Sequence, residues 1–133
     1  MSDPHSPWAL GSESESPDGR FLAAVSDAGE IAMGAPTSGS LSIVERSSGE
    51  RRTFDGGFSP SFAWCDDSRR LAIPRWTRSR DQELVVVDAV SGKEFTVAGP
   101  FSVLELHAFE GDVIRGVDSP AYQPRPLEVH LVP

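Results

Sequence analysis

Acyl transfer and metal binding each require a particular grouping of side chains, and neither grouping is present in this sequence. No G-x-S-x-G motif surrounds a serine, and Ser38 in "PTSGS" lies in a stretch typical of a loop. The three histidines, His5, His107 and His130, share no metal-ligand spacing. Cys65 is the only cysteine, so it is interpreted as a buried structural thiol. We therefore expect no catalytic residue, no metal and no cofactor.

Carboxylates are the most plentiful chemical groups, with 20 Asp and Glu against 12 Lys and Arg. Paired carboxylates serve as acid and base in glycosidases. Here, however, Asp18, Asp67 and Glu110 each lie at a turn, where hydrogen bonds to the backbone explain them. The net charge of −8 disfavours nucleic acid and anionic membranes and favours a basic protein partner. Glu13, Glu15 and Asp18 form an acidic cluster suited to such a partner.

The segment "PRWTRSRDQE", residues 74–83, departs most from the acidic background. It places Arg75, Arg78 and Arg80 around Trp76 in a predicted loop between two strands. Tryptophan and arginine are enriched at the energetic hot spots of protein interfaces, and exposed loops often carry binding residues. The segment therefore predicts a protein-binding surface, with the alternative that Trp76 packs in the core and the arginines lie in solvent.

Strands must position these residues, because apolar and polar side chains alternate with a period of two along most of the chain. The alternating segments are "FLAAVS", "SLSIVER", "SFAWC", "RLAIPRW", "ELVVVDA", "EFTVA", "VLELHAF", "DVIRGV" and "LEVHLV". Turn signals separate them, including Ala28-Gly29, Ser48-Gly49, Asp55-Gly56-Gly57 and Ser91-Gly92. No stretch favours a helix, so the predicted class is all-β with antiparallel sheets.

One turn recurs along the sequence. Asp18-Gly19, Asp67-Ser68 and Glu110-Gly111 are 49 and 43 residues apart, and each leads into a hydrophobic strand. A second marker, at Gly49 and Gly92, recurs after 43 residues. Such spacing indicates stacked or radial repeats. We therefore predict three units, residues 16–57, 58–100 and 101–133, with Leu22, Leu71 and Ile114 as buried equivalents.

This pattern resembles the blades of TolB-like and WD40-like β-propellers. In those families a Ser-Pro-Asp-Gly turn joins two strands, as in "ESPDGRFLAAV", and a Ser-Gly turn precedes the last strand, as in "SSGERRTF" and "VSGKEFTV". The third unit lacks its Ser-Gly turn and last strand. Closed propellers have roughly four to eight blades, so the resemblance implies an incomplete, propeller-like stack of just under three.

An incomplete stack exposes strand edges and apolar faces that something must cover. Two copies could supply six blades as a homodimer. Alternatively, a monomer could pair its N-terminal strand with "LEVHLV", or an open edge could bind another protein. The length of 133 residues suits one domain, 1–133, and no apolar run approaches the roughly 20 residues that span a bilayer. "MSDPHSPWAL" contains no secretory signal pattern, which favours the cytoplasm.

These features together favour a non-catalytic protein-binding module. Eleven arginines against one lysine are typical of a GC-rich bacterial genome. A small acidic bacterial protein of this kind fits an immunity protein that neutralises a cognate, basic toxin. The alternative is a propeller-like hydrolase or sugar-binding subunit that works with other chains.

Overall fold

The structure, a computed structural model, describes residue 7 and residues 12–30, 37–119 and 123–131. Eleven β-strands and no helix occur in this part of the chain. Accordingly, the described residues include no helix of the length and apolar character needed to cross a membrane. The strands are β1 (Ser12–Glu15), β2 (Phe21–Glu30), β3 (Thr37–Glu45), β4 (Arg51–Phe58), β5 (Ala63–Trp64), β6 (Arg70–Trp76), β7 (Gln82–Asp88), β8 (Glu94–Phe101), β9 (Leu104–Glu110), β10 (Val113–Asp118) and β11 (Arg125–His130).

Neighbouring strands pair antiparallel in three successive meanders. The first contains β1 to β4, the second β5 to β8, and the third β9 to β11. A single residue pair, Phe58 opposite Arg75, joins the first two meanders into one eight-stranded sheet. The third meander is a separate three-stranded sheet. The predicted all-β, antiparallel class is therefore confirmed.

The recurring turn is a four-residue loop in the first two meanders, closed by the Ser16 amide donating to the Phe21 carbonyl and the Cys65 amide donating to the Arg70 carbonyl, but a two-residue loop between the paired Glu110 and Val113 in the third. Gly19, Ser68 and Gly111 have φ angles of 74°, 61° and 58°, a left-handed conformation that glycine adopts most easily. The second marker behaves in the same way, since Gly49 and Gly92 have φ angles of 72° and 76°. The second marker therefore aligns equivalent turns, whereas the first aligns equivalent turns in the first two meanders and a shorter turn in the third.

Several local features differ from the sequence predictions. Ala28-Gly29 and Asp55-Gly56-Gly57 lie inside β2 and β4, because irregular pairing with β3 absorbs these residues without ending the strands. Ser38, expected in a loop, lies in β3 opposite Gly29. The first predicted unit also begins after β1, whose sequence "SESE" has no apolar residue to mark a strand. His5 lies outside the described residues.

The core consists of two apolar layers, one on each face of the second meander. One layer joins the first and second meanders and contains Phe21, Ala23, Leu41, Ile43, Phe54, Leu71, Ile73, Val85 and Val87. The other joins the second and third meanders and contains Ala72, Leu84, Val86, Leu104, Leu106, Phe109 and Ile114. The middle position of the second meander explains why β6 and β7 are buried on both faces.

The expected burial of the repeat strands holds in two of the three meanders. Leu71 and Ile114 are fully buried, whereas Leu22 is only half-buried. Leu22 alternates with Phe21 and Ala23, which face the second meander, and it therefore lies on the outer face of the first. No described residue forms a further layer there, so equivalence in sequence does not give equal burial.

Candidate protein-binding groove

The predicted acidic cluster lies on β1 and the turn that follows it. Glu13 and Glu15 are exposed, and Glu15 forms an ion pair with Arg46. The carboxylate of Asp18 accepts a hydrogen bond from the Arg20 amide at 2.9 Å and another from the Ser16 hydroxyl at 2.8 Å. These two bonds lower the pKa of Asp18. Asp18 therefore stabilises its turn, and Glu13 is the member of the cluster most available to a partner.

The predicted group of Arg75, Trp76, Arg78 and Arg80 does not form one exposed surface. Trp76 is the last residue of β6, half-buried, and its indole N–H is buried without an acceptor among the described residues. The Arg75 guanidinium donates to Glu83 at 2.7 Å and to Glu94 at 2.8 Å. Arg78 and Arg80 are exposed. Only these two arginines are presented to solvent as the sequence analysis expected.

The acidic cluster and the arginine loop lie at opposite ends of the strands. The Asp18 amide donates to the Ser68 hydroxyl at 2.9 Å, which places the first turn beside the start of β6. Trp76 is at the other end of this seven-residue strand, ~20 Å away at about 3.3 Å per residue. The two predicted groups therefore do not form one site.

A pocket of about 260 Å³ contains carboxylates at the end of the molecule where the turns lie. It is lined by residues that include Trp64, Asp66, His107 and Glu110. Asp66 accepts hydrogen bonds from the Gly111 amide at 2.9 Å and the Cys65 thiol at 3.3 Å, and both lower its pKa. The Asp66 carboxylate thus connects the turn of the third meander to that of the second. The alternative function, a hydrolase or sugar-binding subunit, stays a prediction.

The cysteine beside this pocket has a structural environment. Burial raises the pKa of the Cys65 thiol to about 11. The thiol is therefore protonated at neutral pH, and a protonated thiol is a poor nucleophile. No group of His, Cys, Asp and Glu within the described ranges is arranged to hold a metal ion.

A larger groove, of about 560 Å³, lies between the second and third meanders, and we call it the β8–β11 groove. Its apolar lining comprises Val86, Phe95, Val97 and Leu131, and its polar lining comprises Arg70, Asp88, Asp112 and His130. Phe95 is 53% exposed, more than any other large apolar side chain in the described residues. An apolar floor with polar groups around it is typical of a binding surface.

The groove exists because the second meander has four strands and the third has three described ones. Phe95 on β8 lies opposite Val86 on β7, so both side chains point towards the third meander. β11 is the last described strand of that meander. The next strand position in the third meander would lie over β8, and no described strand occupies it. In contrast, Phe54 on β4 packs within the core of the first and second meanders and is only 7% exposed.

The sequence analysis did not single out Phe95. The signal was present in two separate observations: "EFTVA" was predicted as a strand, and the third unit lacks its last strand. Together they predict that an apolar side chain of β8 lies under the position of the strand that the third unit lacks. Comparison of the chain with protein-family models and with curated proteins found no match.

Proposed function

We propose that this chain is a non-catalytic protein-binding module and that its partner docks in the β8–β11 groove. This proposal is carried by the exposed Phe95, which lies beside an edge of β11 that no strand in the described part of the chain pairs with. Leaving a phenylalanine half-exposed forgoes part of the roughly 1.5–3 kcal/mol that full burial would contribute. A partner that covers Phe95 recovers that contribution, so burial of this side chain stabilises the complex.

We further propose that the three meanders are blades of an incomplete propeller. Their strand numbers of four, four and three, their face-to-face packing and the matching turns of the first two meanders support this interpretation. In this arrangement the groove is the position of the last strand of the third blade. An open position in an otherwise regular stack is a natural place for another protein to bind.

The proposed partner is a basic protein, such as a toxin that this chain neutralises as an immunity protein in the cytoplasm. The net charge of −8 supports a basic partner, because long-range attraction accelerates encounter between oppositely charged proteins. Glu13 and Glu110 are exposed and form no ion pair within the described part of the chain. Their charges are therefore not neutralised locally.

The test uses the protein encoded by the gene adjacent to this one, measured by surface-based binding kinetics. Phe95→Ser is expected to weaken its binding about tenfold or more, as for an anchor residue at an interface. Val90→Ser is the matched control, because Val90 is also exposed, at 38%, but does not line the β8–β11 groove. Equal effects of the two substitutions, or no complex at all, would contradict the proposed function.

A further inference from the structure

The outer edge of β11, which pairs with no strand among the described residues, presents a defined set of backbone hydrogen-bonding groups. The Leu131 amide donates to the carbonyl of Asp112 at 2.7 Å, on the side of β10. Since backbone groups alternate in direction along an antiparallel strand, the amide of Val129 also points towards β10. The amides and carbonyls of Glu128 and His130 therefore point away from β10, towards the groove. Pro126 has no N–H, so it limits pairing at the other end of β11.

The floor of the groove has the width of one strand. Adjacent strands lie about 4.8 Å apart, and the second meander extends one strand, β8, beyond the three strands of the third. Val86, Phe95 and Val97 provide an apolar surface beneath this position. A strand placed there would bury one row of its side chains on β8 and leave the alternate row in solvent.

We propose that the groove takes a single extended segment of the partner, which adds antiparallel to β11 and carries apolar residues alternating with Lys or Arg. The antiparallel direction matches the addition of β4 to β3 and of β8 to β7. Apolar residues of the segment cover Phe95, and basic residues on the outer face are attracted by the net charge of −8, since Glu128 beside them already pairs with Arg115. This inference rests on the proposed function and specifies the ligand of the same groove.

A second copy of the chain does not fit this position. Pairing two β11 strands antiparallel about a twofold axis would place the third meanders of both copies in one sheet. The second meanders would then also share one layer, and β8 of the copy would occupy the place of β7. The clash follows from the extra strand in the second meander, so the groove is suited to a single strand from another protein.

The test uses a short synthetic peptide that alternates valine with lysine, and NMR hydrogen exchange of the backbone amides of this chain. In the free protein the amides of Glu128 and His130 are expected to exchange fast, and those of Val129 and Leu131 slowly. Saturating peptide should slow exchange at Glu128 and His130 by about tenfold or more. Phe95→Ser should weaken peptide binding, whereas Val90→Ser should not.

A peptide that alternates valine with glutamate is the matched control and should bind more weakly. Equal binding of both peptides, or no protection at Glu128 and His130, would overturn the inference. Protection in the free monomer would assign the edge to another segment of this chain, and protection that rises with dimer formation in sedimentation experiments would assign it to a second copy. If the lysine peptide protects the edge but no protein partner depends on Phe95, the proposed function fails and the strand-binding site stands.

Discussion

At the residue scale, Trp76 and Gln82 form an unusual polar pair inside the protein. They lie opposite each other on β6 and β7, and the Trp76 indole N–H and the Gln82 side-chain NH₂ are buried donors without an acceptor among the described residues. The Gln82 carbonyl oxygen already accepts from the Leu104 amide at 2.6 Å. A buried donor without a partner costs about 1–3 kcal/mol. Trp76 therefore combines apolar packing with an uncompensated polar group.

Two substitutions at Trp76 should consequently have opposite effects. Trp76→Phe removes the donor and keeps an aromatic ring, so we expect the free energy of unfolding to be unchanged or raised by up to about 1 kcal/mol. Trp76→Ala should lower it by about 2 kcal/mol or more, because the packing is lost. Urea denaturation measures both values. Equal destabilisation by the two variants would show that the indole N–H has a partner in solution.

Acid should destabilise the protein partly through Asp67. Burial opposes ionisation of this carboxyl, but hydrogen bonds from the Arg69 and Arg70 amides and from the Arg70 guanidinium outweigh burial and hold its pKa below 3.8. Because the folded pKa lies below the unfolded one, the stabilisation is complete above the unfolded pKa and is lost as the pH falls through the folded value.

We therefore expect Asp67→Asn to lose stability at neutral pH and to show a shallower fall of Tm than the wild type as the pH decreases below about 4. Glu110→Gln is the control, since it removes a carboxylate at the turn of the third meander, where this side chain has no hydrogen bond in the described ranges. Melting curves across the acid range provide the measurement. Parallel curves for the wild type and Asp67→Asn would contradict the assigned role of this carboxylate.

At the element scale, the third meander has an irregularity in the pairing of β9 with β10, where His107 of β9 has no partner. The register between β9 and β10 shifts between Arg115 and Gly116. A Cβ atom at Gly116 would lie 2.3 Å from the carbonyl oxygen of Glu105 and 3.1 Å from the Cα of Leu106. Both contacts are with backbone, which cannot move without disturbing the pairing of the two strands.

We expect Gly116→Ala to lower the free energy of unfolding by about 3 kcal/mol, as for a substitution that overpacks a core. Gly49→Ala is a suitable control, because its φ angle is 72° but an added Cβ would contact nothing within 4 Å. That change should cost about 1 kcal/mol from backbone strain alone. Chemical denaturation of both variants tests this order, which would be wrong if Gly49→Ala were the more damaging.

The strands that the sequence predicted are those whose own side chains alternate. β1 was missed as a strand, and β4 was expected only from the resemblance, because "SESE" and "RRTFDGGF" lack regular apolar alternation. Contacts distant in sequence hold β1 in place: the Ser12 hydroxyl donates to the Pro60 carbonyl at 2.7 Å, and the Trp64 indole donates to the Ser14 carbonyl at 3.0 Å. The alternation of neighbouring side chains does not depend on such distant contacts, so it could not predict β1.

At the scale of the whole molecule, the order of the layers decides which repeated residues are buried. The repeat predicted equivalent turns correctly in the first two meanders, but the exposure of Leu22 and Phe95 depends on what lies outside their own meander. Leu22 is on the outer face of the first layer, and Phe95 extends beyond the edge of the third. The sequence therefore predicted the all-β, antiparallel class, but not which apolar side chains outside a single meander stay exposed.

The charge of the whole molecule gives the last prediction, which concerns association with the basic partner proposed above. Glu13, Glu50 and Glu110 are exposed and form no ion pair among the described residues, whereas Glu15 and Asp18 have internal partners. Each Glu→Lys change removes one negative and adds one positive charge, so reversing all three should take the net charge from −8 to about −2 and slow association. The dissociation rate should be unchanged, because distant charges affect encounter more than the bound complex.

Kinetics at two salt concentrations should also show that association of this triple variant depends less on salt than that of the wild type, once circular dichroism confirms folding. An unchanged association rate at low salt would mean that the net charge does not guide the partner, and the apolar floor of the β8–β11 groove would then account for recognition alone.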